Sequence, residues 1–115
     1  MPDGLLMHQE LARLYQEMEQ AIDDTIESGN ALAIAEAEYR REKGSLTARL
    51  RADGMPVSII SDIVKADEQV NDLMLRRDMA QVLYRVSPEQ INIRKLRYRA
   101  LTEAMAREYG RPSNQ

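Results

Sequence analysis

The chain has 115 residues, 43% of them hydrophobic and 30% charged, and it contains no cysteine, tryptophan or phenylalanine. The lack of cysteine excludes disulfides, thiolate metal sites and cysteine nucleophiles, and it fits a reducing compartment. The N-terminus has no cationic segment followed by an apolar core, and no apolar run approaches the roughly 20 residues of a membrane span. We therefore expect one soluble, cytoplasmic domain over residues 1–115.

Charge is distributed unevenly along the chain, whose net charge is −3. Residues 1–38 carry nine acidic side chains and one basic side chain, whereas residues 76–115 carry nine basic and four acidic ones. The residues between them are balanced, with six of each sign. In an antiparallel fold, this polarity would place an acidic first helix beside a basic last helix.

The first half of the chain predicts two helices with a stop signal between them. The apolar stripe of the first helix, over about residues 5–28, consists of Leu11, Tyr15, Met18, Ile22 and Ile26, and Leu14 and Ala21 widen it. Gly29-Asn30 follows, and because both residues accept the left-handed conformation, we expect the helix to end or bend there. A second helix over about residues 31–53 ends before Gly54, which occupies the position of a C-terminal cap.

The segment after this second helix marks the strongest boundary in the chain. Gly54 is followed by Pro56, so the chain must turn here. Residues 54–65 form an apolar turn segment in which Ser58 and Ser61 can cap a short helical turn. Because such an apolar connection is not typical of a surface loop, we predict that it plugs the helix pair or contacts another subunit. The residues of this predicted contact are Val57, Ile59, Ile60, Ile63 and Val64.

The second half predicts two further helices, over about residues 66–86 and 88–109. Ser87-Pro88 between them indicates either a new helix start or a proline kink in one long helix. The predicted fold is all-α: a long antiparallel helical hairpin, bent near Gly29-Asn30 and Ser87-Pro88, or a compact four-helix bundle. Apolar residues outside a single seam further predict a homo-oligomer, of which a dimer is the simplest form.

No motif in the sequence indicates catalysis, a metal or a cofactor. His8 is the only histidine, so a histidine metal site or a nucleophile triad lacks its other members. The acidic clusters lack the glycine-containing calcium loop, and Lys43-Gly44-Ser45 has the wrong order for a phosphate loop. We therefore expect a protein that is not an enzyme and that has no cofactor and no metal site.

Basic residues of the last helix are the main functional candidate, as a surface for a partner protein or for nucleic acid. These residues are Arg94, Lys95, Arg97 and Arg99, with Tyr98 available for stacking. The alternative is that they only balance the acidic residues of the first helix, namely Glu10, Glu17, Glu19 and Asp23. An isoelectric point near 5.2 argues against nonspecific DNA binding.

Several short motifs lie between the second helix and the C-terminus. They are Gly54-Met55-Pro56-Val57, Ile60, Asp62, Lys65, Arg77-Asp78 and Glu108-Tyr109-Gly110. Through these motifs, roughly residues 35–110 resemble small helical-hairpin proteins encoded by tailed phages of Gram-positive bacteria. The resemblance implies an accessory role in phage replication or recombination.

Three hypotheses for the function follow. The leading one is a non-enzymatic accessory protein that oligomerises and binds a replication or recombination protein, with DNA as a less favoured ligand, through the basic last helix. The second is a phage inhibitor of a host antiviral enzyme, whose acidic helix imitates nucleic acid. The residues of this acidic face are Glu17, Glu19, Asp23, Asp24 and Glu27. The third is a virion assembly or scaffolding protein.

Overall fold

A computed structural model describes residues 3–109. These residues form three helices and no strand: α1 is Asp3–Ala52, α2 is Val57–Ala66 and α3 is Glu68–Tyr109. The predicted all-α fold is confirmed. α1 and α3 are each unbroken, so the described residues do not form the four separate helices of the predicted bundle. None of the helices within residues 3–109 combines the length and the apolarity that a membrane crossing requires.

Neither predicted break ends a helix. The helices expected over residues 5–28 and 31–53 form one helix, α1, and those expected over residues 66–86 and 88–109 form another, α3. α1 continues through Gly29-Asn30, where a Cβ on Gly29 would lie 3.3 Å from Cε1 of Tyr84. This close approach explains the glycine without a helix end. α3 continues through Pro88, which lacks the backbone donor that a helix interior normally uses. A bend at either position stays a prediction.

The chain divides into two compact units, and unit 2 comprises residues 27–85. All three helices contribute to unit 2, because α2 packs on the antiparallel ends of α1 and α3. Its buried cluster consists of Leu46 from α1, Ile60 and Val64 from α2, and Val70 from α3. Tyr39, Leu50 and Met55 pack against this cluster.

The turn in unit 2 is set by one glycine and by side-chain bonds to the backbone. Gly54 has a φ of +80°, the left-handed conformation that its position predicted. The Asp67 carboxylate accepts a hydrogen bond from the Val70 N–H at 2.9 Å at the start of α3. The Asn71 amide donates to the carbonyls of Lys65 and Asp67, each at 2.8 Å. These bonds hold the end of α2 next to the start of α3.

α2 itself corrects the predicted turn segment, because residues 57–66 form a ten-residue helix. No side chain of the described residues caps its first turn, so the predicted capping by Ser58 and Ser61 is not found. Pro56 instead precedes the helix with an extended backbone. Ile60 and Val64 of α2 face the other two helices.

Unit 1 comprises residues 1–26 and 86–115. Its described part pairs the first half of α1 with the second half of α3 in antiparallel orientation, and the ring centroids of Tyr15 and Tyr98 lie 6.3 Å apart. The prediction that an acidic helix lies beside a basic one is confirmed for this pair. Only Leu14, Ala21 and Ser87 are buried in it.

The seam of unit 1 differs from the predicted apolar stripe. Its least exposed positions on α1 alternate in spacing between three and four, as in a two-helix coiled coil, and are Leu11, Leu14, Met18, Ala21 and Thr25. Tyr15, Ile22 and Ile26, which were expected to face the core, are exposed. Leu11 and Met18 of the predicted stripe lie in the seam with Leu14 and Ala21, which were expected to widen it, so the pairing with α3 covers one side of that stripe.

Candidate interaction surfaces

Many large apolar side chains of the described residues are exposed. Six apolar residues are buried, whereas sixteen large apolar side chains are exposed. Large exposed apolar patches are rare on monomeric proteins and usually mark sites of association. The candidate site of this protein is therefore a set of helix faces.

The first of these faces lies on α3 in unit 2. Leu75, Met79 and Val82 follow one another at spacings of four and three, which places them on one side of the helix. Their exposed fractions are 59%, 60% and 57%. We call these three residues the apolar strip. The strip points away from the seam, which on α3 in this unit includes Val70 and Arg77.

The second face lies on α3 in unit 1, where two exposed apolar residues are flanked by cations. Ile93 and Leu96 are exposed by 44% and 62%. Lys95 and Arg99, four residues apart, lie on one side of them. Arg97 lies on the other side, because two residues along a helix are about 200° apart. We call this face, formed by Ile93, Lys95, Leu96, Arg97 and Arg99, the basic face.

The remaining two residues of the predicted basic surface lie in the seam. Nη1 of Arg94 donates to the Gln90 carbonyl at 3.1 Å and to its Oε1 at 2.8 Å, and the side chain is half-buried. Tyr98 packs on Tyr15 and is also half-buried. The structure thus places the Tyr98 ring against Tyr15 and joins Arg94 to Gln90 of its own helix, and the role of these two residues in binding stays a prediction.

The charges of the last helix do not simply neutralise those of the first. Within residues 3–109, no ion pair joins an acidic residue of α1 to a basic residue of α3. Arg13 instead takes up two of the nearby carboxylates: it pairs with Glu10 and with Glu17, the latter at 2.6 Å. Its hydrogen bond to Glu10 lowers the pKa of that carboxyl group below the ordinary value. Lys95, Arg97 and Arg99 form no ion pair within residues 3–109.

The predicted acidic face divides in a similar way. Glu17 is half-buried and bound to Arg13, whereas Glu19, Asp23, Asp24 and Glu27 are exposed. Oδ1 of Asp24 accepts a hydrogen bond from Gln20 at 2.9 Å. Glu19 and Asp23, four residues apart, flank the exposed Ile22 and Ile26. We call Glu19, Ile22, Asp23 and Ile26 the acidic strip.

The predicted oligomer contact on the apolar segment is also divided by the structure. Ile60 and Val64 are buried in unit 2, so they stabilise the chain itself and are not available to a second copy. Ile63 is half-buried. Only Val57 and Ile59 are exposed. The segment is thus mainly a plug for the end of the helix pair, which was the other predicted role.

A groove between α1 and α2 in unit 2 was not foreseen from the sequence. It has a volume of about 240 Å³, and its lining consists of Lys43, Thr47, Arg51, Val57, Ile60, Ser61, Val64 and Lys65. Three of these side chains are cationic and none is acidic. A signal was present, because Lys43, Thr47 and Arg51 recur every four residues and share one side of a helix.

Within residues 3–109, no group of three or more histidine, cysteine or acidic side chains is arranged to hold a metal ion. Comparison of the chain with protein-family models, with curated proteins and with solved structures gave no match. The candidate sites of the chain are thus the basic face, the apolar strip and the groove.

Proposed function

We propose that this chain is a non-enzymatic helical accessory protein that forms a homo-oligomer and binds a partner protein through the basic face. The observation that supports the proposal is the arrangement of that face, in which Ile93 and Leu96 are exposed between cations on both sides. Such a face suits an amphipathic helix whose apolar residues are flanked by carboxylates. The apolar strip suits a second copy, because the exposed residues beside it, Asp72 and Arg76, have opposite charges.

The resemblance to phage hairpin proteins extends this proposal to its setting. The partner is then a replication or recombination protein, and the complex forms in the cytoplasm of the host cell. DNA is the less favoured ligand, because Lys95 and Arg99 are separated from Arg97 by an apolar ridge and do not form one phosphate-binding track.

Self-association is tested first, by light scattering over a range of protein concentrations. We expect the mass of the wild type to exceed the 13.2 kDa of one chain. Met79→Glu places a charge in the apolar strip and should shift the mass towards one chain. Ile34→Glu is the matched control, since Ile34 is 60% exposed like Met79 but lies on α1. A wild type that stays monomeric would contradict the proposed oligomer.

The basic face is tested by fluorescence anisotropy with two labelled probes, an amphipathic acidic helical peptide and a DNA oligonucleotide. The triple variant Lys95→Glu, Arg97→Glu, Arg99→Glu should lose the peptide and keep the mass of the wild type. The control is Arg85→Glu, Arg107→Glu, since both arginines are exposed on α3 outside the basic face. If the wild type binds DNA more tightly than the peptide, the face is a nucleic-acid site and the proposed protein partner is wrong.

A further inference from the structure

The groove between α1 and α2 has a chemistry that neither the apolar strip nor the basic face shares. Lys43, Arg51 and Lys65 converge on it, and no carboxylate within residues 3–109 forms an ion pair with any of them. Nζ of Lys43 lies 5.7 Å from the centroid of the Tyr39 ring. The groove is therefore a concentration of positive charge without an internal counterion.

The groove also has an apolar edge. Ile60 and Val64 close its floor but are only 5% and 4% exposed, whereas Val57 at its edge is 74% exposed. A small hydrophilic anion would leave Val57 in contact with water. An occupant that matches the groove must present both apolar side chains and negative charge from one rigid surface.

The acidic strip on α1 has this composition. Ile22 and Ile26 are 46% and 59% exposed, and the carboxylates of Glu19 and Asp23 lie beside them on the same helix face. Neither carboxylate forms an ion pair within residues 3–109. The same chain thus carries an unneutralised cationic groove with an apolar edge at Val57 and an unneutralised anionic strip with an apolar ridge.

We infer that the groove of one copy binds the acidic strip of a second copy. This contact deepens the proposed self-association, on which it rests, by adding an interface distinct from the apolar strip. It joins two different surfaces, so it extends the assembly beyond a pair unless the two copies exchange it reciprocally. Its ion pairs are exposed, so it is weak and depends strongly on ionic strength.

Charge reversal on each side separately tests the contact. Variant G carries Lys43→Glu and Arg51→Glu, and variant S carries Glu19→Lys and Asp23→Lys. Light scattering in low salt should show weaker association for either variant alone, by about tenfold or more in the apparent dissociation constant. The wild type should weaken to a similar degree in about 0.5 M NaCl, where the Debye length is only a few ångströms.

An equimolar mixture of variants G and S provides the decisive arm. In the mixture, the acidic strip of G meets the basic groove of S, and the basic strip of S meets the acidic groove of G. We therefore expect the mixture to recover the mass of the wild type. The control variant Arg41→Glu, Arg49→Glu has the same change in charge on exposed positions of α1 outside the groove, and it should associate as the wild type does.

The outcomes separate this inference from the proposal on which it rests. If the wild type associates and variant G associates equally well, the groove contact is wrong and the apolar strip stands. If variant G weakens association but the mixture does not recover it, the acidic strip is not the occupant, which also overturns the inference. If the wild type is monomeric in all conditions, the proposed self-association itself is wrong.

Discussion

The two units of the chain use the same pair of helices but bury very different amounts of apolar surface. In unit 2, α2 packs across α1 and α3, and four apolar side chains become buried in one cluster. In unit 1 only two helices meet, and two apolar residues and one serine are buried. A two-helix seam covers one narrow line on each helix, so a third element is needed to form a core.

This comparison explains where the interaction surfaces lie. Unit 1 has no third helix, so apolar residues on both α1 and α3 stay exposed, among them Ile22 and Leu96. Charged residues flank these positions, acidic on α1 and basic on α3. The unit with fewer buried apolar side chains thus has apolar faces that are flanked by charge of one sign on each helix.

The largest expected effect comes from shortening a side chain in the unit 2 cluster. Ile60→Ala should lower the free energy of unfolding by about 2–4 kcal/mol, because it removes buried methyl groups and leaves a cavity. Its neighbour Ile59 is exposed on the same helix, so Ile59→Ala should cost less than about 1 kcal/mol. Urea denaturation followed by circular dichroism measures both values. Equal losses in the two variants would show that α2 does not provide the core of unit 2.

A second effect concerns the turn that allows α2 to reach this cluster. Gly54→Ala should lower the free energy of unfolding by about 1–2 kcal/mol, because its φ of +80° is unfavourable for a residue with a Cβ. Gly44→Ala is the matched control, since Gly44 lies within α1 and a Cβ there meets no atom within 4 Å. That variant should be more stable by about 0.5–1 kcal/mol. If both variants changed the free energy of unfolding in the same direction, the left-handed conformation of Gly54 would be contradicted.

The smallest effect belongs to unit 1 and depends on pH. The Arg13 hydrogen bond lowers the folded-state pKa of Glu10, so the pair stabilises the chain above the unfolded pKa, which is about 4.3 for glutamate. This contribution is lost as the pH falls through the lowered folded pKa. Arg13→Gln should therefore be slightly less stable than the wild type at neutral pH, and the difference should vanish in acid. Thermal unfolding at a series of pH values measures it; a difference that grows on acidification would contradict this sign.

Gly54 and the helical periodicity could be predicted because both depend on local chemistry. A glycine followed at two residues by Pro56 defines a turn whatever else the chain does. The helix ends at Gly29-Asn30 and Ser87-Pro88 were not found in the structure, because a helix interior tolerates these residues when packing along its whole length favours continuation. A glycine destabilises a helix interior by about 1 kcal/mol and a proline by about 3 kcal/mol. Packing in the rest of the fold offsets both costs.

The interaction surfaces were less predictable, because each combines positions that are distant in the sequence. The basic residues all lie within residues 94–99, yet a helix directs Arg97 and Lys95 to different sides and leaves Arg94 half-buried. The groove joins Lys43 and Arg51 on α1 with Lys65 on α2, which come together only when the chain turns at Gly54. The sequence therefore indicated a basic helix and an apolar segment, but not which of their residues are exposed on the same side.

The position of α2 also has a consequence for how the chain folds. Leu46 and Val70 belong to one cluster and are 24 residues apart, whereas Tyr15 and Tyr98 make contact over a separation of 83 residues. Closing the shorter loop costs less chain entropy, so the turn region is the favoured nucleus and pairing then spreads towards both termini. During synthesis the acidic half of α1 leaves the ribosome long before the half of α3 with which it pairs. The apolar residues of this half of α1 therefore stay exposed until α3 has been synthesised.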